Sequence, residues 1–92
     1  MKRITAIVLG FILLAGTAAF AQGKTVSTEK APKAIGPYSQ AVWAGDLLFL
    51  SGQIGLVPET GKMIEGGTLA QAEQIFRNIE AILESQGLGF KD

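Results

Sequence analysis

Cysteine and histidine are both absent from this 92-residue chain. Without cysteine there can be no disulfide and no thiol nucleophile, and without histidine the commonest general base and the triads built on it are missing. Structural zinc sites draw their ligands mainly from the same two residue types. The eight carboxylates are dispersed, and no glycine cluster is followed by the Lys-Ser/Thr pair of a phosphate loop. We therefore expect no metal site and no cofactor.

An excess of basic charge is also missing, since the formal net charge of the chain is zero. Lys2 and Arg3 account for two of the eight basic residues, so residues 22–92 hold six basic and eight acidic residues, a net charge of −2. This balance disfavours a nucleic-acid or anionic-membrane surface. The few aromatic residues are not interleaved with bases as in a base-stacking platform. We expect no nucleic-acid partner.

The N-terminus has the pattern of an export signal. Two basic residues precede an apolar stretch over residues 4–20, and Ala19 and Ala21 supply a small-x-small cleavage pattern. These features predict a secretory signal peptide over residues 1–21, cleaved before Gln22. The protein is then expected to be exported and periplasmic, with no membrane attachment after cleavage between Ala21 and Gln22.

A membrane anchor is the alternative interpretation of this segment. The apolar stretch is short for a membrane span, and Gly10, Gly16 and Thr17 interrupt it. No basic stop-transfer flank follows, because the next cation is Lys24. The pattern favours cleavage.

The mature chain is small, with 71 residues from 22 to 92. We predict a polar arm over residues 22–33, with a short strand at its end, and a single domain over residues 34–92. Domains of this size often need disulfides, a metal or a partner chain, because they bury little surface alone. Since the first two are not available, the sequence favours association with other chains, or a chain that is only part of a domain.

A β-hairpin is predicted in the first part of the domain. Residues 41–43 form one strand, residues 44–46 form the turn, and residues 47–54 form the second strand. The second strand starts with the continuous apolar run Leu-Leu-Phe-Leu. Such a run predicts burial on both faces of the sheet, by a helix on one side and by something else on the other.

A helix is predicted from Leu69 to Gln86. Thr68 and Gln71 have the spacing of a capping box, and Gly87 is expected to end the helix in the left-handed conformation. Helix and hairpin together predict an α+β layer.

Apolar residues recur along this helix at steps of three and four, which predicts one buried stripe. Glu73 and Arg77 have the spacing of an exposed i,i+4 ion pair on the opposite face. The predicted stripe comprises Leu69, Ala72, Ile75, Phe76, Ile79, Ile82 and Leu83.

Two stretches carry a family resemblance, residues 31–41 and residues 48–54. They contain Gly-Pro-Tyr-Ser-Gln at 36–40 and Ser-Gly-Gln at 51–53. This combination, in this order, closely resembles the N-terminal half of the reactive intermediate deaminase A (RidA, or YjgF) family. The agreement in order and spacing extends over roughly residues 31–87, which is far more specific than any single glycine motif.

The resemblance implies a chorismate-mutase-like α+β fold and a homotrimer with sites between its subunits. It also implies hydrolysis of enamine/imine intermediates, such as 2-aminoacrylate, to a 2-keto acid and ammonia. An imine carbon is already electrophilic, so this chemistry needs a placed water and substrate anchoring more than a nucleophilic side chain. The implied partner is therefore a small-molecule enamine or imine.

Three residues are implied at the site by their place in the matching motifs. Tyr38 would act catalytically by orienting substrate or water in the cleft, and Ser51 and Gly52 would line the cleft and contact the substrate. Tyr38 and Ser51 each have a structural alternative. A tyrosine after Gly-Pro often packs its ring and bonds its hydroxyl locally, and a serine in an apolar strand often marks a bulge or tight packing.

Other polar residues of the matching region are interpreted as structural. Gln40 and Gln53 are expected to be sheet-edge side chains with no ligand. Asn78 on the helix is expected to be a hydrogen-bonding residue. Arg77 is the only arginine after residue 21, and the ion-pair interpretation is preferred for it.

The resemblance places two further site residues in the second half of the family's domain. These are an arginine that grips the substrate carboxylate and a glutamate associated with the attacking water, both expected beyond Asp92. We therefore expect residues 34–92 to be the N-terminal portion of a RidA-like domain whose C-terminal half is missing, and expect no deamination by this portion alone. The alternatives are a non-enzymatic ligand-binding or chaperone-like family member and, less favoured by the charge, a ribonuclease or translation inhibitor.

Overall fold

The computed structural model describes residues 23–92, so the predicted signal peptide and its cleavage site lie outside the described residues. The described part contains a three-stranded sheet and one long helix. None of its helices is long and apolar enough to cross a membrane. The elements are β1 (Lys24–Val26), β2 (Ala41–Ala44), β3 (Leu47–Leu50) and α1 (Gly67–Glu84).

The sheet is antiparallel throughout, with strand order β1-β2-β3. The polar arm contributes β1, so its strand lies near the beginning of residues 22–33 and not at the end. Val26 pairs with Ala41, and both side chains are buried. Within residues 23–92, β3 has no strand on its outer side.

The predicted hairpin is present, with Gly45 at φ 62° in the turn between β2 and β3. The predicted extension of the second strand to Ile54 is wrong, because β3 ends at Leu50. Beyond that point the Ser51 amide donates to the carbonyl of Gln40 at 2.9 Å, and residues 51–54 form no ladder. The irregular segment that follows β3 therefore forms part of a cleft and not of the sheet.

The side chains of β3 alternate between the two faces of the sheet. Leu48 and Leu50 are half-buried and pack against the hydrophobic core, whereas Leu47 and Phe49 on the other face are exposed. We call the face with Leu47 and Phe49 the open face. Burial on both sides was predicted for this strand, and within the described residues only one side is covered. The core on the covered side comprises Val26, Ala31, Ala41 and Ile82.

The C-terminal end of α1 agrees with the predicted glycine cap, whereas its N-terminal end differs from the predicted capping box. The N-cap is Gly66 at φ 115°, with no side-chain hydrogen bond, and Thr68 already lies inside the helix. The predicted capping box is therefore wrong. At the other end Gly87 has φ 72°, as predicted, and the Leu88 amide donates to the Leu83 carbonyl at 2.9 Å, which is the 6→1 bond of a glycine-terminated helix.

The face that α1 buries includes two polar residues that hydrophobicity does not identify. Gln74, Asn78 and Ile82 are its buried residues, whereas Leu69 and Phe76 of the predicted stripe are exposed. The predicted stripe is therefore wrong at these two positions and right at Ile82. The predicted Glu73–Arg77 ion pair is confirmed at 2.7 Å. The predicted α+β class is confirmed by the sheet and its packed helix.

Candidate functional site

Tyr38, Ser51 and Gly52 line one small cavity of ≈ 50 Å³. Tyr38 comes from the loop before β2, and the other two residues come from the segment after β3. The antiparallel pairing of β2 and β3 brings the start of one strand beside the end of the other, where Ala41 pairs with Leu50. The hairpin thus brings Tyr38 beside Ser51 and Gly52, although Tyr38 lies more than ten positions before them in the sequence.

The Tyr38 side chain is half exposed. Its hydroxyl accepts a long hydrogen bond, 3.4 Å, from the amide of Ile35, and its own amide donates to the Gly36 carbonyl at 2.8 Å. The local bonding expected as the structural alternative is therefore present. It is weak and leaves the hydroxyl proton available for a further partner.

The Ser51 side chain is already engaged on two sides. Its hydroxyl donates to the Gln40 carbonyl at 3.1 Å and accepts from the Gln53 side-chain amide at 3.3 Å. A serine hydroxyl has one proton and two lone pairs. Ser51 can therefore accept one more hydrogen bond without disturbing the cleft, and it cannot donate one without losing its bond to Gln40.

Gly52 leaves open space at the cavity. A Cβ atom at this position would meet no heavy atom within 4 Å, and its backbone is not in the left-handed region. The fold of the described residues therefore does not require glycine here. The absence of a side chain keeps the neighbourhood of Ser51 accessible.

A larger cavity of ≈ 450 Å³ adjoins the small one. Lys33, Tyr38 and Gln40 line both cavities. The larger cavity is otherwise lined mainly by polar side chains of residues 25–29 and by Ser39. Lys33, Tyr38 and Gln40 therefore lie between a small part of the cleft beside Ser51 and a wider part beside β1.

The charged groups at the cleft are few. Lys33 lines both parts and Glu29 lines the wider part. In residues 23–92 the ion pair between Glu73 and Arg77 is the only salt bridge, so Lys33 has no carboxylate within 4 Å there. No group of three residues able to hold a metal ion is found in the same part of the chain.

Gln40 is the residue of this region that the sequence interpretation missed. It was expected to be a sheet-edge side chain, but it is 3% exposed and makes four side-chain hydrogen bonds to the arm. The sequence indicates its importance only by its position, at the end of Gly-Pro-Tyr-Ser-Gln and directly before a strand. Asn78 has the expected structural role, since its amide donates to the carbonyls of Ile54 and Leu56 at 3.2 and 2.9 Å.

The cleft offers hydroxyls, amides, the Lys33 ammonium and, in its wider part, the Glu29 carboxylate, but no thiol or other strong nucleophile. Such groups can hold a water molecule and a polar substrate by hydrogen bonds, which suits a reaction whose substrate is already electrophilic. The arrangement does not suit acyl transfer through a covalent intermediate, which needs a nucleophile next to a base.

Comparison with known proteins assigns the chain to a family. Residues 28–92 match the family model described as Endoribonuclease L-PSP. The chain is 46% identical over 80 residues to Reactive Intermediate Deaminase A, chloroplastic, of Arabidopsis thaliana, covering 87% of this chain and 43% of the relative. It is 45% identical over 69 residues to the 2-iminobutanoate/2-iminopropanoate deaminase of Mus musculus, covering 75% and 51% respectively.

A solved structure agrees with these relatives. The crystal structure of RidA from the Antarctic bacterium Psychrobacter sp. superposes with a TM-score of 0.71 at 51% identity, over 75% of this chain and 55% of that one. The chain thus spans about half the length of the relatives that it matches. The sequence resemblance and the fold expected from it are both confirmed, and the chain belongs to the RidA/YjgF family.

Proposed function

We propose that this protein is an enamine/imine deaminase, which hydrolyses 2-aminoacrylate-type intermediates to a 2-keto acid and ammonia. The observation that carries the proposal is the meeting of Tyr38, Ser51 and Gly52 at one cavity in a chain of this family. Relatives named for deamination of reactive intermediates and of 2-iminobutanoate support the same chemistry.

The reaction needs little from the protein beyond placement. The enamine first becomes the imine, as one proton leaves its nitrogen and another is added to its terminal carbon. A water molecule then adds to the imine carbon and one of its protons passes to nitrogen. The resulting carbinolamine expels ammonia as its hydroxyl proton passes to nitrogen and the carbonyl forms. We assign to the Tyr38 hydroxyl the orientation of this water or of the substrate. Ser51 would accept a hydrogen bond from the substrate, and Gly52 would leave room for it.

An anchor for the substrate carboxylate has to come from outside residues 23–92. Arg77 is the only arginine of this part, it is paired with Glu73, and it lines neither part of the cleft. Lysine does not reproduce the bidentate grip of a guanidinium on a carboxylate. We therefore propose that residues 22–92 do not catalyse the reaction alone, and that the arginine and glutamate implied by the family resemblance complete the site.

We further propose a homotrimer with the cleft between its subunits. The open face supports this proposal, because Leu47 and Phe49 expose apolar surface beside the edge strand β3. Exposed apolar surface of this kind is typical of a face that another chain covers.

Export of the mature chain, after cleavage between Ala21 and Gln22, is a separate proposal. The leader pattern supports it. N-terminal sequencing of the protein from the envelope fraction of its native host should give Gln22-Gly23-Lys24. A mature protein that starts at Met1 would rule out cleavage.

The deaminase proposal is tested with 2-aminoacrylate generated in situ and the formation of 2-keto acid followed against the spontaneous rate. A protein in which this chain is followed by the second half of the family's domain should accelerate hydrolysis, and in it Tyr38→Phe and Ser51→Ala should each lower kcat/KM by about tenfold or more. Ser85→Ala is the matched control, because its hydroxyl bonds the Ile82 carbonyl and it lines neither part of the cleft. A wild-type rate equal to the spontaneous rate would rule out the deaminase.

Two other functions predict different outcomes in the same preparation. A non-enzymatic ligand-binding protein would bind a 2-keto acid such as pyruvate without accelerating hydrolysis. A ribonuclease, which the description of the matching family model suggests, would cleave RNA. The charge of −2 over residues 22–92 disfavours the ribonuclease.

A further inference from the structure

We propose that Gln40 is the positioning residue of the cleft, which sets where Tyr38 lies relative to Ser51. Its kinetic readout rests on the proposed deaminase function, whereas its structural readouts do not. The proposal follows from the hydrogen bonds of this one buried side chain and of its own carbonyl oxygen.

Both the oxygen and the nitrogen of the Gln40 side-chain amide form hydrogen bonds with the backbone of the arm. Its oxygen accepts from the Thr28 amide at 2.7 Å, and its nitrogen faces the carbonyls of Thr28, Ala31 and Pro32 at 3.0, 3.3 and 2.8 Å. Only the amide nitrogen can face three carbonyl oxygens, so the orientation of the group is unambiguous. Gln40 therefore joins the start of β2 to residues 28–32.

These bonds close the loop that carries Tyr38. The bond from Gln40 to the Pro32 carbonyl joins the two ends of residues 33–39. Inside that loop the hydrogen bonds are the two local ones of Tyr38, to Ile35 and Gly36. The loop has no other polar tie to the rest of the described residues, so its ends determine its position.

The same residue also fixes the other wall of the cleft. The Gln40 carbonyl accepts from both the amide and the hydroxyl of Ser51, at 2.9 and 3.1 Å. Tyr38 is two residues before Gln40 in the sequence, and Ser51 is bonded directly to it. The distance between the two candidate site residues is therefore set through Gln40.

The first test uses Gln40→Met, which keeps the length and burial of the side chain and removes all four of its hydrogen bonds. Gln86→Met is the matched control, because Gln86 bonds the Trp43 indole at 2.8 Å and lines neither part of the cleft. Tyr38 is the only tyrosine of the chain. Incorporation of 3-fluorotyrosine into residues 1–92 therefore gives one fluorine NMR signal, which reports the surroundings of Tyr38.

We expect Gln40→Met to shift or broaden this signal and Gln86→Met to leave it unchanged. In the hydrolysis assay Gln40→Met should lower kcat by about tenfold to a hundredfold, as expected for a misplaced site group, and Gln86→Met should keep kcat. An unchanged fluorine signal in Gln40→Met, or the same change in both variants, would overturn the proposal. If the protein that also contains the second half of the family's domain shows no hydrolysis, the deaminase function fails, and the fluorine signal still decides the role of Gln40.

A second measurement covers the possibility that Gln40→Met does not fold. The Thr28 amide has the Gln40 side chain as its acceptor. In the wild type, its hydrogen exchange should therefore be slowed relative to that of an unbonded loop amide. Exchange of Thr28 as fast as that of an unbonded amide would show that Gln40 does not hold the arm, and would overturn the proposal without any variant.

Discussion

One face of the three-stranded sheet packs against α1, and on that face Ala41 is 1% exposed, whereas Phe49 on the open face is 59% exposed. Both residues belong to the same hairpin, and adjacent positions of β3 alternate between the two environments. The face that packs against α1, here called the covered face, is buried by side chains within residues 23–92. The open face has the apolar composition of an interior and the exposure of a surface, so its burial depends on something outside residues 23–92.

The largest expected effect sharpens this comparison on the covered face. Ile82 is fully buried at the centre of the core, and Ile82→Ala should lower the free energy of unfolding by about 2–5 kcal/mol. Leu69 belongs to the same predicted stripe but is 86% exposed, so Leu69→Ala should change it by less than about 0.5 kcal/mol. Urea unfolding of both variants checks this, and equal losses would contradict the assignment of faces.

A smaller effect on the free energy of unfolding is expected for a buried polar residue of α1. Asn78→Ala removes the donor for the carbonyls of Ile54 and Leu56 and should cost about 1–3 kcal/mol. Arg77→Ala, at the next position, removes only an exposed ion pair, which should cost about 0–1 kcal/mol. Thermal unfolding of the two variants distinguishes them, and a larger loss for Arg77→Ala would refute the structural role of Asn78.

A substitution on the open face is expected to change the oligomeric mass of the protein more than its free energy of unfolding. Phe49→Glu should leave the helical circular dichroism of the subunit intact, with a change in unfolding free energy below about 0.5 kcal/mol, and should dissociate the proposed trimer. Phe76→Glu is the control, because Phe76 is 60% exposed but lies on α1. Light scattering gives the mass of each. Retention of the trimer by Phe49→Glu would break the comparison by showing that the open face is not an interface.

A small effect on stability, in the opposite direction, is expected at Gly52. Alanine meets no neighbouring atom there, so Gly52→Ala should leave unfolding unchanged or stabilise the protein by about 0.4–1 kcal/mol, while lowering hydrolysis by narrowing the cavity. At Gly55 a Cβ would lie 3.1 Å from the Cα of Gln71, and Gly55→Ala should cost about 1–3 kcal/mol. Differential scanning calorimetry and the hydrolysis assay separate these two effects. Unchanged hydrolysis in Gly52→Ala would remove Gly52 from the site.

The sequence predicted the hairpin and the helix but not the face that the helix buries. Apolar residues at steps of three and four indicate a helix even when single positions deviate. Leu69 and Phe76 follow this spacing, but they lie on the exposed side of α1. Gln74 and Asn78 are buried because the Gln74 amide donates to Asn78 at 2.9 Å and Asn78 donates to loop carbonyls. Hydrogen bonding offsets the cost of burying such groups, and a hydrophobicity pattern contains no information about distant carbonyl partners.

The candidate site shows the same division. The motifs identified Tyr38, Ser51 and Gly52, and the fold places all three at one cavity. The role of Gln40 depends on carbonyl groups eight to twelve residues earlier in the chain. The sequence around a glutamine before a strand does not indicate these contacts, because they form only when the arm packs beside the start of β2. The roles of the three motif residues in catalysis remain predictions that the assays above address.

Within residues 23–92 no strand pairs with the outer edge of β3, and this has a consequence for the yield of the protein in the cell. The strand consists of Leu-Leu-Phe-Leu, with no lysine or proline to discourage pairing with a foreign strand, and only Asp46 adjoins it. A subunit that has not joined the proposed trimer therefore offers backbone donors and acceptors next to exposed apolar side chains. Its loss to aggregates should rise with the rate of synthesis, so slower expression should recover more assembled protein than faster expression at the same total output.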